Sequence, residues 1–155
     1  MKAPAYYLIT RIWRNIGGAG KAYHRAAIIE AGLTHFKEWW FAGTDYTLHW
    51  MPYGVSWSPE HVDITNHYLG QGVRGGLPLM LLFICLLWIG FRYVGQILWL
   101  WSDKPAKRRF FVWSLGASLF AHAASCVSIA YFDQSILFLY LTLALIANMR
   151  AKAAS

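Results

Sequence analysis

Most side chains that could carry acid–base or phosphate chemistry lie in one stretch, before the longest apolar run of the chain. His49, His61 and His67 stand there, and Arg74 follows them. A histidine exchanges a proton near neutral pH, and an arginine keeps its charge and holds phosphate oxygens in a bidentate fork. Together with Arg25 further upstream, these residues suit a reaction on a lipid that carries a phosphate or a diphosphate.

The composition indicates that an integral membrane protein carries these side chains. Of the 155 residues, 57% are hydrophobic and only 14% are charged, whereas an ordinary soluble domain is about 25% charged. So much apolar sequence also excludes a disordered chain. The formal net charge is +7, but the basic residues flank the apolar runs. This is the positive-inside pattern of a membrane protein and argues against nucleic-acid binding.

Three apolar runs predict an all-α fold: a membrane protein with three transmembrane helices and a preceding helical extracytoplasmic segment. A helix needs about 20 residues to cross a bilayer. If the spans alternate in direction, both basic clusters face the cytoplasm. The predicted parts are an N-terminal helix or remnant of a preceding span at 1–22, the extracytoplasmic segment at 23–76, spans at 77–101, 110–132 and 135–149, a basic loop at 102–109 and a cytoplasmic tail at 150–155.

Within the extracytoplasmic segment, the sequence predicts two helices joined by a loop. Apolar residues recur at helical spacing over 23–40, and Gly43 follows. Residues 46–60 are rich in Pro, Gly and Ser, which is typical of a loop, and a second helix is predicted at 63–70. Because nothing in residues 1–76 could drive their own export, we expect missing N-terminal spans or a partner membrane protein.

The spacing after His61 resembles the histidine signature of the O-antigen ligase and polymerase family. In that signature, a histidine and a small amide or hydroxyl residue are followed, after nine residues, by Gly-x-x-Gly at the start of a transmembrane helix. Here His61 and Val62 precede Gly72 and Gly75 at that spacing. Val62 departs from the family preference for Asn, Ser or Gln. Arg25 resembles the arginine that heads a helix in this family.

The departure at Val62 leaves a rival for the role of the histidine. His67 follows Asn66 within the same stretch, so the functional histidine is either His61 or His67. The sequence does not decide between them.

The resemblance implies a multi-pass glycosyltransferase of the bacterial inner membrane, with residues 23–76 in the periplasm. Such an enzyme moves a glycan from undecaprenyl diphosphate to an acceptor glycan or lipid and uses no cofactor or metal. Arg25 would bind the diphosphate, and the histidine, His61 or His67, would deprotonate or orient the acceptor hydroxyl. The substrate-binding residues implied are Arg25, Arg74, Asn66, Gly72 and Gly75.

A second interpretation is a small non-catalytic membrane subunit, or an inactive remnant, that packs with partner helices. Ala117, Ala121 and Ala124 predict a small-residue face on the middle span. His122 lies beside this face, and we expect a neutral imidazole that is hydrogen-bonded to a neighbouring helix.

The remaining histidines are predicted to be surface or interfacial residues. This prediction covers His24, His35 and His49. No metal site is predicted, because the spacing of His49, His61 and His67 matches no compact ligand motif and no cysteine is nearby.

Overall fold

The computed structural model describes residues 19–51, 58–132 and 134–154, with side chains from residue 24 onward. Within these ranges the fold is all-helical, without a strand, which confirms the all-α part of the prediction. Most of the predicted N-terminal part, residues 1–18, lies outside the described residues. The elements are α1 (Ala19–Thr34), α2 (Phe36–Trp39), a 3₁₀ helix (Leu48–Trp50), α3 (His67–Leu100), α4 (Ala106–Ser125) and α5 (Gln134–Ala154).

Helices α3, α4 and α5 pack into an up–down–up bundle around one apolar core. Gly90 marks a point where all three meet, because a Cβ there would lie 2.8 Å from the side chains of both Leu119 and Leu143. The absence of a side chain allows the helices to approach closely. The buried core residues include Phe83, Leu87, Val94, Ile97, Val112, Leu115, Leu119, Leu139 and Ile146.

The two basic clusters lie at the same end of this bundle. Arg150 donates a hydrogen bond from Nε to Oε1 of Gln96 at 2.7 Å, which joins the end of α5 to the end of α3. Met149 shares a surface cavity with Lys107 and Arg108. The alternation of helix direction therefore places the loop and tail cations together, while the residues before α3 meet the opposite end.

Two of the described helices, α3 and α5, are long and apolar enough to cross a membrane. Only 22% and 17% of the residues in their most apolar 18-residue stretches are buried, so most of these residues face outward. Helix α4, which covers most of the predicted middle span at 110–132, is not among the helices that are long and apolar enough. Lys107, Arg108 and Arg109 occupy its first turn.

The predicted end of the middle helix at residue 132 is wrong. Helix α4 ends at Ser125, and residues 126–132 form turns and irregular backbone. This segment accepts and donates hydrogen bonds to the start of α3: Cys126 O accepts from His67 N–H at 2.8 Å. Within this segment Cys126 and Tyr131 are buried, whereas Val127, Ile129 and Phe132 are at least 49% exposed. The third predicted helix is longer than expected, since α5 continues from Gln134 to Ala154.

A kink at Gly75 and Gly76 divides α3 into a short first part and the apolar part that follows. Gly76 has a φ of +72°, and a Cβ there would lie 2.3 Å from Phe41 O. Pro78, two positions after Gly76, has no amide proton to donate. The second helix predicted at 63–70 is thus the beginning of α3, which starts only at His67.

The described residues before α3, 24–51 and 58–66, are called the outer segment below. They pack against the first part of α3 through a second apolar core. The single helix predicted over 23–40 is divided into α1 and α2 at His35. Trp39 is 3% exposed, and its indole Nε1–H donates to Gly32 O at 2.8 Å, which fixes the angle between the two helices. The buried residues of this core are Ile28, Trp39, Trp50, Val62, Leu69 and Val73.

Candidate functional site

A cavity of about 380 Å³ opens where the outer segment meets the bundle. It brings together three of the residues predicted from the sequence, His61, His67 and Arg74, and it adds two carboxylates, Asp45 and Asp63. One cation, two anions and two imidazoles therefore share one small space. The rest of the lining is Thr44, Val62, Ile64, Gly70, Val73, Ala130, Tyr131 and Phe132.

A tight turn after α2 brings Asp45 to this cavity beside Arg74. Gly43 has a φ of +87°, and a Cβ at this position would lie 2.3 Å from Val73 O. The next residue, Thr44, donates its backbone N–H to Val73 O at 2.8 Å. Only glycine fits such a close approach of two backbone segments. Gly43 therefore allows the turn that carries Asp45 to pack against α3.

His61 is held by its backbone and by one ring nitrogen. Its N–H donates to Ser58 Oγ at 3.1 Å. Its Nδ1 lies 3.4 Å from the buried hydroxyl of Thr47, which also accepts the Val62 N–H at 3.1 Å. Among the residues that the structure describes, Nε2 has no hydrogen-bond partner. When Nδ1 carries the ring proton, Nε2 therefore has a lone pair available to a ligand.

Both ring nitrogens of His67 are already in use. The side chain is 2% exposed, and Nδ1 accepts a hydrogen bond from the Tyr131 N–H at 3.0 Å. Nε2 lies 3.0 Å from the side-chain amide of Gln71. Since Nδ1 accepts, the neutral ring carries its proton on Nε2, and the amide must direct its oxygen toward it. His67 therefore connects α3 to the segment before α5, and it is less suited than His61 to proton transfer.

Asn66 is the N-cap of α3. Its Oδ1 accepts the Leu69 N–H at 2.9 Å, and its Nδ2 donates to Val127 O at 2.9 Å. The side chain is 8% exposed. Its oxygen and nitrogen are both engaged within the protein, so the structure gives it a positioning role where the resemblance implies substrate binding.

The two glycines of the signature serve packing, and neither lines the cavity. A Cβ at Gly72 would lie 2.5 Å from the Trp39 ring, so this glycine lets α2 lie close against α3. Gly75 has non-helical backbone angles at the kink, and a Cβ there would lie 2.8 Å from Leu79 Cδ2.

Arg25 lies on the exposed face of α1 and does not line the cavity that contains Arg74. Its neighbour His24 is 9% exposed, and His24 Nε2 lies 2.8 Å from Asp63 O. His24 is therefore not a surface residue, which excludes that part of the prediction. His24 and Arg25 point to different sides of α1, because consecutive positions on a helix differ in direction by about 100°.

His122 lies in the last turn of α4, close to the outer end of the bundle. Its Nδ1 lies 3.0 Å from the Tyr131 hydroxyl. The predicted hydrogen bond therefore exists, but its partner is in the segment before α5 and not on a neighbouring helix. Tyr131 is also a cavity residue.

A second group of ionisable side chains lies outside the cavity. His35, Glu38 and His49 meet at the surface beside Trp50. The pKa of Glu38 lies below its ordinary value of 4.5, first because the Trp50 indole donates a hydrogen bond to the carboxylate and further because of His35 and His49, while desolvation opposes the shift. Sequence spacing missed this group, because the chain between Glu38 and His49 folds back on itself.

In comparisons with family models, with curated proteins and with solved structures, none matches the chain. Function is therefore inferred from the geometry of the described residues.

Proposed function

We propose that the chain is the C-terminal part of a membrane glycosyltransferase of the O-antigen ligase or polymerase type. It would move a glycan from undecaprenyl diphosphate to an acceptor sugar or lipid. The observation that carries this proposal is that Arg74 and His61 line one cavity at the end of a bundle whose helices α3 and α5 could cross a membrane.

The outward face of the bundle supports a membrane location. Leu82 is 67% exposed, Trp99 77% and Phe120 67%. A soluble protein rarely exposes so many large apolar side chains without a partner. In the proposal, α4 crosses the membrane between α3 and α5, and its basic first turn lies at the cytoplasmic headgroups. Residues 23–76 then face the periplasm of a bacterial inner membrane.

Arg74 is the proposed ligand of the diphosphate. A guanidinium in a partly enclosed cavity stabilises the negative charge that develops on a phosphate leaving group. The kink at Gly75 and Gly76 lies directly after Arg74 and before the apolar part of α3. A lipid head group at the membrane surface would meet this position. Arg74 takes the main phosphate role in this proposal, because it lines the cavity and Arg25 does not.

His61 is the proposed base. In the reaction, the acceptor oxygen bonds to the anomeric carbon of the glycan, and the bond from that carbon to the diphosphate oxygen breaks. The acceptor proton passes to Nε2 of His61. Undecaprenyl diphosphate leaves with the bonding electrons. Asp45 and Asp63 would repel the phosphates and are assigned to sugar hydroxyl groups, which can donate hydrogen bonds to carboxylates.

The cavity is small for a complete lipid-linked glycan. Its volume of about 380 Å³ is close to the lower end of the range of ligand pockets, about 300–1,000 Å³. It fits a head group, and the rest of the groove would come from preceding spans or from a partner membrane protein.

Binding of undecaprenyl diphosphate to the purified chain in detergent tests the proposal. We expect Arg74→Ala to weaken binding by at least about tenfold, which is about 1.4 kcal/mol. Arg92→Ala is the matched control, because Arg92 is also exposed on α3 but lies over the Trp88 ring, 5.4 Å from its centre. Equal binding by wild type and Arg74→Ala, or no binding by wild type, would contradict the phosphate role.

Glycan transfer tests the catalytic step. In liposomes that contain the chain with its complementing spans, the lipid-linked donor and the acceptor, we expect His61→Gln to reduce transfer by about 10²-fold or more. Lipid binding should stay close to that of wild type. Unchanged transfer in this variant would exclude His61 as the base.

A second candidate function is that of a non-catalytic membrane subunit. Ala117, Ala121 and Ala124 are all exposed on α4, and small residues of this kind let a partner helix approach closely. We expect Ala121→Cys to form cross-links with a neighbouring membrane protein in intact membranes if this candidate is correct. Transfer activity in liposomes without such a neighbour would contradict it.

A further inference from the structure

We propose that His35, Glu38 and His49 form a binding site for a divalent transition-metal ion of the zinc class. The proposal does not rest on the proposed glycosyltransferase function, since none of the three residues lines the cavity of His61 and Arg74. Residue spacing does not reveal this site, because its ligands come from separate parts of the chain.

The three side chains already have nearly the separation that a metal ion requires. Their ligand atoms, Nδ1 of His35, a carboxylate oxygen of Glu38 and Nε2 of His49, lie within 4.8 Å of one another. The two nitrogens are 2.6 and 2.9 Å from the carboxylate oxygens. Around a tetrahedral ion with bonds of about 2.0–2.1 Å, ligand atoms are about 3.4 Å apart. Small side-chain rotations therefore make room for the ion.

The backbone of two elements brings these ligands together. His35 is the N-cap of α2, and Glu38 follows three positions later on the same face. The Glu38 N–H donates to His35 O at 2.9 Å, which holds this turn. His49 arrives from the 3₁₀ helix Leu48–Trp50. A metal at this point would fasten the corner between α1 and α2 to the 3₁₀ helix.

Aromatic neighbours orient all three ligands. The indole Nε1–H of Trp50 donates to Oε2 of Glu38 at 3.0 Å. The His35 ring stacks on Trp50 with centroids 5.7 Å apart, and Tyr46 stacks on His49 at 5.3 Å. Trp50 is only 6% exposed, so its position is determined by the core. Such outer contacts hold metal ligands in place before the ion binds.

The donor set selects the class of ion. Two imidazoles and one carboxylate suit zinc and similar transition metals, whereas calcium and magnesium prefer all-oxygen sites. Three protein ligands leave the fourth position to water or to another ligand. Glu38 and His49 are 38% and 40% exposed, so an ion can enter from solvent.

The ion would also steady one wall of the cavity. Thr47 precedes the 3₁₀ helix, and its hydroxyl lies against His61 Nδ1 and accepts the Val62 N–H. Metal binding by His49, two positions after Thr47, would thus restrict the segment that holds His61.

Competition with a chromophoric chelator tests the site on the purified full chain in detergent. We expect the metal-free protein to take up one zinc ion per chain with a dissociation constant in the micromolar range or below. Glu38→Gln and His49→Gln should each weaken this binding by at least about tenfold. Glu60→Gln and His61→Gln are the matched controls, and their affinity for zinc should equal that of wild type.

Chemical modification of the wild type avoids variants that fold poorly. Diethyl pyrocarbonate acylates free imidazoles, and mass spectrometry identifies the modified histidines. We expect zinc to protect His35 and His49 while His61 stays reactive. The absence of zinc uptake by wild type, equal affinity in the double variant His35→Gln/His49→Gln, or equal modification of His35 and His49 with and without zinc would each overturn the proposal. None of these results bears on lipid binding by Arg74.

Discussion

The imidazole of His67 accepts a hydrogen bond at Nδ1 from the backbone N–H of Tyr131, 64 positions later in the chain, at 3.0 Å. This contact joins the start of α3 to the non-helical segment before α5. Both residues line the cavity, so the same bond determines one of its walls. It gives His67 a role in positioning and leaves His61 as the histidine suited to proton transfer.

Replacement of His67 tests this role. In His67→Ala, the buried Tyr131 N–H loses its acceptor, and an unsatisfied buried donor costs about 1–3 kcal/mol. We expect the free energy of unfolding in detergent to fall by this amount. His61→Ala should have a smaller effect, because the side-chain contact of His61 with Thr47 is 3.4 Å long. Equal stability of wild type and His67→Ala would contradict the positioning role.

Gly76→Ala should disrupt the kink of α3. The φ of +72° disfavours any L side chain, and the new Cβ would lie 2.3 Å from the backbone oxygen of Phe41. We expect a loss of at least about 2 kcal/mol, since the combination of φ +72° with ψ −176° is essentially confined to glycine and costs other residues about 1–3 kcal/mol.

The control for this variant is Gly95→Ala on the same helix. A Cβ at Gly95 meets nothing within 4 Å, so the change should stabilise the helix by about 0.5–1 kcal/mol. Thermal unfolding followed by circular dichroism measures both variants. Similar melting temperatures for the two would argue against the kink as described.

Asn66→Ala removes the cap of α3. The Leu69 N–H loses its acceptor, and loss of an N-cap costs about 0.5–2 kcal/mol. The lost hydrogen bond to Val127 O adds to this cost. Asn148→Ala, at an exposed position of α5, should change stability by less than about 0.5 kcal/mol. Chemical denaturation compares the two, and an equal effect would contradict the capping role.

The hydrogen bond between the Trp50 indole and the Glu38 carboxylate should depend on pH. The pKa of Glu38 is lower in the folded protein than its ordinary value of 4.5. Its contribution to stability is therefore complete above the unfolded pKa and is lost as the pH falls through the folded pKa. The NMR signal of the Trp50 indole N–H should shift over this acidic range, and Glu38→Gln should abolish that titration. A pH-independent signal in wild type would contradict the hydrogen bond.

Several features of the fold depend on local sequence and could be predicted from it. The apolar runs over 77–101 and 135–149 predicted the two helices that are long and apolar enough for a membrane. Gly43 ended the outer helical region because a left-handed turn there favours glycine. The predicted boundaries were less accurate around 126–132, where the chain leaves the helical conformation and hydrogen-bonds to the start of α3.

The sequence by itself determined the helical class, the apolar spans and the grouping of the basic clusters at one end, because composition and periodicity act over neighbouring residues. Only the tertiary structure decided that Arg74 and His61 share a cavity while Arg25 does not. It also decided that His35 and Glu38 meet His49. These contacts join residues that are distant in the chain, and they depend on backbone turns and packing distances that residue spacing does not contain.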